Sequence, residues 1–241
     1  MGYVDLHNHL LWDLDDGCET PAQTLAVARL LVELGWSDVA PSPHAVARFP
    51  SGDPASAEAR RTEAVALFAR EGIPLALHAN AENRLDEAFL ARARGAGRRG
   101  IGPAQRWVLV ELPFDAPVPA LADLVFRMKD MGVSPLFAHP ERCAEFDRPG
   151  RAEEVVRLGA ALQLNLGALA GVYGRGAKKI AERFVSEGLY AVGASDLHRP
   201  DGAHEWLDLA LDALEKRAGA EALERLLSTN PRRILAGEDL S

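Results

Sequence analysis

The segment Val4–Gly17, VDLHNHLLWDLDDG, combines two histidines, His7 and His9, with four aspartates and several apolar residues. The apolar residues fit a buried strand, but unpaired charged side chains are costly to bury. A surface loop would tolerate the charges but would not need the apolar residues. A bound metal ion removes this conflict, because imidazole and carboxylate groups both ligate it. The segment therefore predicts a strand that ends in a metal site.

Length and composition describe a chain that can bury a large core. It has 241 residues, 48% of them hydrophobic, and we expect a single domain over residues 1–241. The net charge of −8 is unfavourable for a nucleic-acid surface, and no run of about 18 apolar residues predicts membrane insertion. Two cysteines, Cys18 and Cys143, and the lack of a signal-peptide pattern favour a reducing, cytoplasmic location. The sequence leaves the oligomeric state open.

Apolar runs of strand length alternate with helical patterns along the chain. The predicted strands are Tyr3–Leu6, Asp38–Ala40, Pro74–His78, Trp107–Leu112, Ser134–Ala138, Ala161–Leu166 and Tyr190–Ala194. The predicted helices are Pro21–Leu34, Ala55–Arg70, Leu85–Arg94, Val118–Met131, Ala152–Leu158, Lys178–Glu187, His204–Lys216 and Ala220–Ser228. This alternation predicts an α/β fold of parallel strands joined by right-handed crossovers. Either an open doubly wound sheet or a closed barrel satisfies it.

Potential metal ligands occur at or just after the carboxyl ends of the predicted strands. Because these ends meet at one face of a parallel barrel, we expect the side chains to converge on one pocket. The residues, in strand order, are His7 and His9, His44, Glu82, Glu111, His139, Asn165, and Asp196 with His198.

The spacing within two of these motifs suits shared ions. Alternate residues of an extended segment point to the same side, so His7 and His9 can bind one ion. Asp196 and His198 repeat this geometry, and Glu82 can bridge two ions. Five histidines and several carboxylates exceed the needs of one tetrahedral ion, so we expect two or three ions. Nitrogen and oxygen ligands without cysteine favour manganese, iron or zinc, with magnesium less favoured.

Several segments together resemble a known superfamily. They are DLHNHLLWDLDDG, SPHA, AEN, VELPF, AHPERC, QLNLG, ASDLH and NPRRIL, in this order over nearly the whole chain. This order resembles the polymerase and histidinol phosphatase (PHP) superfamily. More narrowly, it resembles the bacterial manganese-dependent protein-tyrosine phosphatases linked to capsule and exopolysaccharide synthesis. The resemblance implies a distorted (β/α)7 TIM-like barrel with a trinuclear site, in which manganese is the first choice.

Matching positions imply roles for particular residues. Arg142, in HPER, matches the phosphate-facing arginine of the family, and Arg142, Asp196 and His198 are the candidate catalytic residues. The implied metal ligands are His7, His9, Glu82 and Asp196 on one ion, Glu82, Glu111 and His139 on a second, and Asp16, His44 and His198 on a third.

Two positions depart from the pattern of the family. An arginine in a DGR-like run is replaced by Ala203, and Arg199, which is adjacent to His198, is the candidate replacement as a substrate ligand. The glycine before Ala-Glu is Asn80 here. A further candidate substrate contact is Asn165, which either polarises the substrate or satisfies backbone groups. These departures bear on substrate preference and leave the metal ligands intact.

The expected reaction is hydrolysis of a phosphomonoester by a metal-activated hydroxide. Metal ions lower the pKa of bound water from about 15.7 toward about 7, and Arg142 would neutralise the phosphate dianion together with them. The resemblance implies that the substrate is phosphotyrosine on the tail of a bacterial tyrosine autokinase. Histidinol phosphate or another small phosphomonoester is the alternative.

Three other classes are less compatible with the sequence. A cysteine-dependent phosphatase needs Cys-x5-Arg, but Thr24 and Pro149 stand at the sixth positions after Cys18 and Cys143. A carbamylated-lysine amidohydrolase needs a lysine at the end of a middle strand, and none of the four lysines ends a predicted strand. A non-catalytic metal-binding regulator would be expected to lose ligands, whereas all nine positions hold competent side chains. The sequence therefore predicts an enzyme.

Overall fold

The computed structural model describes residues 2–86, 89–95 and 97–240. The strands are β1 Tyr3–Asp5, β2 Trp36–Val39, β3 Ala76–Leu77, β4 Glu82–Arg84, β5 Trp107–Glu111, β6 Ser134–Ala138, β7 Ala161–Asn165 and β8 Val192–Ala194. The helices are α1 Pro21–Glu33, α2 Pro54–Glu71, α3 Phe89–Arg94, α4 Leu121–Asp130, α5 Arg151–Arg157, α6 Leu166–Ala170, α7 Gly174–Ser186, α8 Ala203–Ala218, α9 Ala220–Glu224 and α10 Asn230–Ala236. A π-helical turn, Arg225–Thr229, joins the last two helices.

In the described part of the chain, the strands form two parallel sheets with the orders β1-β2-β3 and β4-β5-β6-β7-β8. The predicted α/β fold with parallel pairing is therefore confirmed. Isolated parallel bridges join Asn8 to Leu197 and His44 to Glu82. The first bridge joins the segment after β1 to the segment after β8, and the second joins the segment after β2 to β4. The strands β4 and β8 are the two edges of the second sheet. Both bridges involve the segments in which the predicted ligands lie.

The two sheets share an apolar interior. Every residue of β5, β6 and β7 is buried, as expected for parallel strands that are covered on both faces. Val4 of β1 clusters with Leu109 of β5 and Leu136 of β6, although β1 belongs to the other sheet. A larger apolar cluster packs the helices against the strands. Burial from both sides fixes the strand ends and therefore the side chains that follow them.

Local signals set the ends of the first long helices. Thr20 caps α1, with its side chain accepting a hydrogen bond from the backbone N–H of Gln23, and Pro21 takes the first helical position. Asp53 caps α2 in the same way. The α2 helix ends at Gly72, whose φ of 65° is the left-handed conformation that glycine adopts without a steric penalty.

The prediction of seven strands is wrong, because the third predicted strand is replaced by two. Pro74–His78 shortens to β3, and a separate strand, β4, begins at Glu82 and pairs with β5. Glu82 therefore begins a strand instead of following one. The β4 strand is short and polar, so it lacks the apolar alternation from which strands are recognised. Its Asn83 side chain is buried because its Nδ2 donates to three backbone carbonyls.

Other boundaries differ by a few residues. The predicted strand Asp38–Ala40 lies two residues earlier, as β2, and Tyr190–Ala194 shortens to β8. The predicted helix Leu85–Arg94 is described only as α3, and its residues 87 and 88 lie outside the described residues.

The largest omissions concern helices. The sixth predicted strand ends at Asn165, which caps α6 with its side-chain oxygen, and α7 begins at Gly174 instead of Lys178. The α10 helix was not predicted. None of the helices that the described residues form is long and apolar enough to cross a bilayer.

Candidate metal centre

The side chains predicted as metal ligands gather at the carboxyl-terminal side of the strands. Their ligand atoms form overlapping groups in which all atoms lie within 4.8 Å of one another. Each of the nine predicted ligands belongs to at least one group. The groups are His9, Asp16, His44 and His198; His7, Glu82 and His139; His7, His9 and Asp196; and His44, Glu82 and Glu111.

His7, His9 and Asp196 have the spacing of ligands around one ion. The Nε2 atoms of His7 and His9 are 3.4 Å apart, and they lie 3.2 and 3.6 Å from Oδ1 of Asp196. Two atoms that ligate one tetrahedral ion at about 2.0–2.2 Å lie about 3.3–3.6 Å from each other. The extended His-x-His segment therefore directs both imidazoles to one point, as its spacing predicts.

Glu82 lies at the centre of the imidazoles. Its Oε2 atom is 3.4 Å from Nε2 of His7, 3.5 Å from Nε2 of His9 and 3.1 Å from Nδ1 of His44. Its Oε1 atom is 3.1 Å from Nε2 of His139. Because the two oxygens face different sets of imidazoles, this carboxylate has the geometry of a bridge between two ions.

Asp16 marks the open side of the cluster. Its Oδ1 atom lies 3.4 Å from Nε2 of His44 and 3.7 Å from Nε2 of His198. The ring of His198 stacks on that of His9 with centroids 4.0 Å apart. Nδ1 of His198 lies 2.9 Å from the backbone oxygen of Asp196, which can only accept, so Nδ1 carries the proton. This tautomer leaves the Nε2 lone pair available to an ion.

Two buried residues behind the ligands fix the other tautomers. Nδ1 of His9 lies 2.7 Å from Oδ2 of Asp15, and Nδ1 of His7 lies 2.9 Å from Oε1 of Gln163. Both ring nitrogens donate to these oxygens, so their Nε2 lone pairs face the cluster. Partners of this kind orient imidazole ligands and increase their basicity. The sequence already carries a signal for Gln163, because it is a polar residue in a buried apolar strand.

Gly17 explains why the acidic run after the first strand ends in glycine. A Cβ atom built on it would lie 2.2 Å from the backbone oxygen of His9 and 2.5 Å from its Cβ. These distances are far below van der Waals contact, so only glycine lets the loop return against His9. The backbone N–H of Gly17 donates to Oδ1 of Asp15 at 3.0 Å. The loop thus brings Asp15 and Asp16 to the cluster.

Backbone strain coincides with the ligands. His139 has a φ of 34° and Asp196 a φ of 52°, in the left-handed region that non-glycine residues seldom adopt. Asp5 is fully buried. Its carboxylate accepts hydrogen bonds from the backbone N–H and the hydroxyl group of Ser195, and from the backbone N–H of His7. Asp196 N–H also donates to the backbone oxygen of His7 at 2.7 Å. These bonds tie the first and last ligand segments together.

Charge within the cluster is closely balanced. Burial alone would lower the pKa of His7, but the carboxylates of Glu82 and Asp196 raise it to about 9. Burial would raise the pKa of Glu82, but the neighbouring imidazoles hold it well below its usual range. The pKa of Glu111 is raised by burial and by the negative charge of Glu82. Cations are therefore favoured among these carboxylates, as protons on the imidazoles or as metal ions.

The donor set fits divalent metal ions. Nδ1 of His139 is buried and has no hydrogen-bond partner among the described residues, whereas Nδ1 of His7 and Nδ1 of His9 face acceptors. Buried polar atoms are normally paired. Because Nδ1 of His139 makes no hydrogen bond, the position of this ring is better explained by metal ligation than by hydrogen bonding. The neighbouring ligand atoms are imidazole nitrogens and carboxylate oxygens, which suit manganese, iron and zinc.

Arg142 lies beside the cluster. Its Nη1 donates to Oδ2 of Asp196 at 3.0 Å, and its guanidinium carbon lies 4.7 Å from the Phe114 ring centroid and 4.1 Å from that of Tyr173. Glu141, the sequence neighbour of Arg142, instead accepts from the hydroxyl of Tyr190. The guanidinium is therefore held beside the metal ligands, against the carboxylate of Asp196.

Asn165 and Arg199 lie outside the lining of the cavity over the metal ligands. Asn165 is fully buried: its Nδ2 donates to Oδ2 of Asp196 at 2.8 Å and its Oδ1 accepts from the N–H of Gly167. Arg199 is exposed and donates to Glu19 at 2.7 Å. Neither side chain lines the cavity over the metal ligands.

A cavity of about 180 Å³ opens over the ligands. Its walls include Arg48, and also Arg84 and Phe114, which the sequence alone did not single out. In the part of the chain that the structure describes, neither Arg48 nor Arg84 has a carboxylate within 4.0 Å. With Arg142 they give the cavity three guanidinium groups, which suit an anionic substrate. The signal for Arg84 was its position two residues after Glu82 on one strand.

The parallel α/β fold and the clustered nitrogen and oxygen ligands are features of metal-dependent hydrolases. The chain matches the family described as capsular polysaccharide synthesis, CpsB/CapC, over residues 3–236, and it belongs to this family. The resemblance noted from the sequence motifs is therefore confirmed.

Relatives and a solved structure extend the similarity over the whole chain. It is 30% identical over 242 residues to the tyrosine-protein phosphatase YwqE of Bacillus subtilis, covering 98% of this chain and 93% of the relative. It is 22% identical to the tyrosine-protein phosphatase CpsB of Streptococcus pneumoniae, covering 96% and 98%. A crystal structure from a study of YwqE and CpsB as metal-dependent tyrosine phosphatases superposes with a TM-score of 0.89 at 28% identity, covering 99% of this chain and 96% of the other.

Proposed function

We propose that this chain is a metal-dependent phosphomonoesterase that acts as a protein-tyrosine phosphatase. The observation that carries the proposal is the clustering of nine nitrogen and oxygen ligands, seven of which line one cavity together with Arg142. Family membership and relatives named as tyrosine-protein phosphatases support it.

The proposed cofactors are two or three divalent ions, with manganese first and iron or zinc as alternatives. His7, His9 and Asp196 would hold one ion, and Glu82 would bridge to others held by the remaining ligands. When bound, such ions supply positive charge for the phosphate and lower the pKa of a bound water toward about 7.

Residues of the chain would position the substrate. Arg142 would bind a non-bridging phosphate oxygen, because its guanidinium group is fixed by Asp196 and two aromatic rings. Asp196 would act as a ligand through Oδ1, since its Oδ2 is occupied by Arg142 and Asn165. His198 lies where its Nε2 could ligate an ion or face the leaving oxygen. We assign Asn165 to positioning Asp196, and Arg48 and Arg84, in place of Arg199, to the anionic substrate.

The proposed architecture is a distorted (β/α)7 TIM-like barrel of the PHP type in a single domain over residues 1–241. Support comes from the bridges at both edges of the larger sheet and from the apolar interior common to both sheets. An eighth short strand is compatible with distortion if β3, at the edge of one sheet, and β4, at the edge of the other, together stand for one barrel strand.

The proposed substrate is phosphotyrosine on the tail of a bacterial tyrosine autokinase, in the cytoplasm. Histidinol phosphate or another small phosphomonoester is a second candidate, favoured by the missing arginine at Ala203. The cavity over the ligands measures about 180 Å³, below the size of most pockets for whole ligands, so the choice also depends on its surroundings.

The test compares substrates with metal content measured in parallel. The full-length protein is stripped with a chelator, reloaded with manganese, zinc or magnesium, and assayed on a phosphotyrosyl peptide, a phosphoseryl peptide and histidinol phosphate. We expect activity to disappear on stripping, to return best with manganese, and to give the highest kcat/KM on phosphotyrosine.

Two results would contradict the proposal. Full activity in excess chelator would exclude the metal mechanism, and hydrolysis of histidinol phosphate alone would replace the tyrosine phosphatase by the small-molecule enzyme. A matched control is Asp13→Ala, because Asp13 lies in the same loop as Asp16 but faces Arg60 and solvent.

A further inference from the structure

A second cavity adjoins the one over the metal ligands. Its volume is about 460 Å³, against about 180 Å³ for the first, and both are lined by Phe114 and Arg142. Pockets that bind drug-sized ligands measure roughly 300–1,000 Å³. The second cavity is therefore large enough for the part of a substrate that lies beyond the phosphate.

Apolar and aromatic residues line this cavity together with three charged ones, Glu141, Arg142 and Asp147. Tyr173, which precedes α7, lines it together with Gly176, Ala177 and Ile180 of that helix, and so do Ala144 and Phe114. Phe114 is 43% exposed, although aromatic side chains of this size are usually buried when no partner covers them. An aromatic or apolar ligand group would cover this ring.

Arg142 links the two cavities. Its guanidinium carbon lies over both aromatic rings, at 4.7 Å from the centroid of Phe114 and 4.1 Å from that of Tyr173. The ring of Phe114 also lies 5.4 Å from that of His139, one of the metal ligands. A phosphate bound by Arg142 among the ligands would thus have its ester oxygen within reach of the second cavity.

We propose that the cavity bounded by Phe114, Tyr173 and Ile180 is the binding site for the aryl ring of the substrate. This inference rests on the proposed phosphatase function and adds the group that is recognised beside the phosphate. Phe114 and Tyr173 hold Arg142 in place, and Ile180 is a specificity-determining residue that contacts only the ring. Aryl phosphates are then bound through two cavities and alkyl phosphates through one.

Cavity size is the test variable. In Ile180→Trp the larger side chain fills the cavity but stays clear of the metal ligands, because Ile180 does not line the cavity over them. The probes are inorganic phosphate and phenylphosphonate, which share the anionic group and differ in the ring. Their dissociation constants are measured by calorimetry on the manganese-loaded full-length protein, so that turnover is not needed.

We expect phenylphosphonate to bind at least about tenfold more weakly to Ile180→Trp, as for other pockets that lose the fit to an apolar group. Binding of inorganic phosphate should change by less than about twofold. The KM of phenyl phosphate should rise in parallel with the phenylphosphonate constant. The matched control is Lys179→Trp, which adds the same side chain at the adjacent, exposed position.

A second variant guards against misfolding. Ile180→Ala removes contacts without adding volume and should weaken phenylphosphonate binding several-fold, again with phosphate binding unchanged. The inference is overturned if phenylphosphonate binds both variants as it binds the unmodified protein, or if both probes weaken equally. If selective weakening occurs in a protein that hydrolyses no phosphomonoester, the aryl site stands and the proposed function fails.

Discussion

Asp15→Asn tests most directly whether a residue that orients a metal ligand, and is not itself a ligand, controls metal binding. The Asp15 carboxylate is fully buried and receives three donors. Its Oδ2 accepts from Nδ1 of His9 at 2.7 Å and from the backbone N–H of His44 at 2.9 Å, and its Oδ1 accepts from Gly17 N–H at 3.0 Å. The imidazole of His9 and the other donors hold the pKa of Asp15 below its usual value although burial would raise it.

An asparagine at position 15 cannot satisfy the same donors, because its amide has one acceptor oxygen and an NH₂ group. If the NH₂ group faces Gly17, it meets the backbone N–H of Gly17, and two hydrogen-bond donors then face each other without an acceptor. If it faces His9, that ring must accept at Nδ1 and carry its proton on Nε2. The second arrangement removes the lone pair that points at Glu82 and Asp196.

Loss of a partner of this kind typically weakens metal binding by about 10- to 100-fold, or about 1.4–2.7 kcal/mol. The assay is the free manganese concentration at half-maximal phosphatase activity, with the same constant obtained by calorimetry. Saturating manganese should restore most of the activity. Asp13→Asn is the control, because the Asp13 carboxylate is 76% exposed and lies 3.6 Å from Arg60, outside the ligand cluster. An Asp15→Asn protein with manganese affinity within twofold of this control would refute the tautomer argument.

Three further predictions concern single residues. Asp196→Ala should lower kcat by at least about a hundredfold through loss of bound metal, measured as turnover together with metal content. Arg142→Ala should mainly raise the KM for a phosphotyrosyl peptide while metal content is unchanged, so an unaltered KM and kcat would remove Arg142 from the phosphate site. Iodoacetamide at pH 8 should leave activity intact, because burial raises the pKa of Cys18 to about 12 and that of Cys143 further still; stoichiometric inactivation would contradict this.

The sequence predicted the parallel α/β fold and brought the ligand residues to one face. Both depend on short-range signals: apolar runs mark strands, and polar residues after them mark the carboxyl ends. The β4 strand escaped because Glu82, Asn83 and Arg84 are polar, and they form a strand only by pairing with β5. A strand that is stabilised by pairing with a distant segment need not show apolar alternation in its own sequence.

The supporting residues were harder to find than the ligands. Gln163 and Asp5 lie within the quoted motif segments QLNLG and DLHNHLLWDLDDG, but they act through contacts with segments more than 150 residues away, which the motifs do not reveal. Arg199 was expected near the substrate because it adjoins His198 in sequence. Neighbouring residues of an extended segment point to opposite sides, however, and Arg199 faces Glu19 instead.

Anomalous diffraction from crystals of the full-length protein soaked in manganese is the most direct measurement of the proposed metal centre. Two or three peaks are expected, each about 2.0–2.3 Å from imidazole nitrogens and carboxylate oxygens, with one peak between His7, His9 and Asp196 and with Glu82 contacting two. If crystals of active protein, soaked in saturating manganese, show no peak among these side chains, the proposal is contradicted.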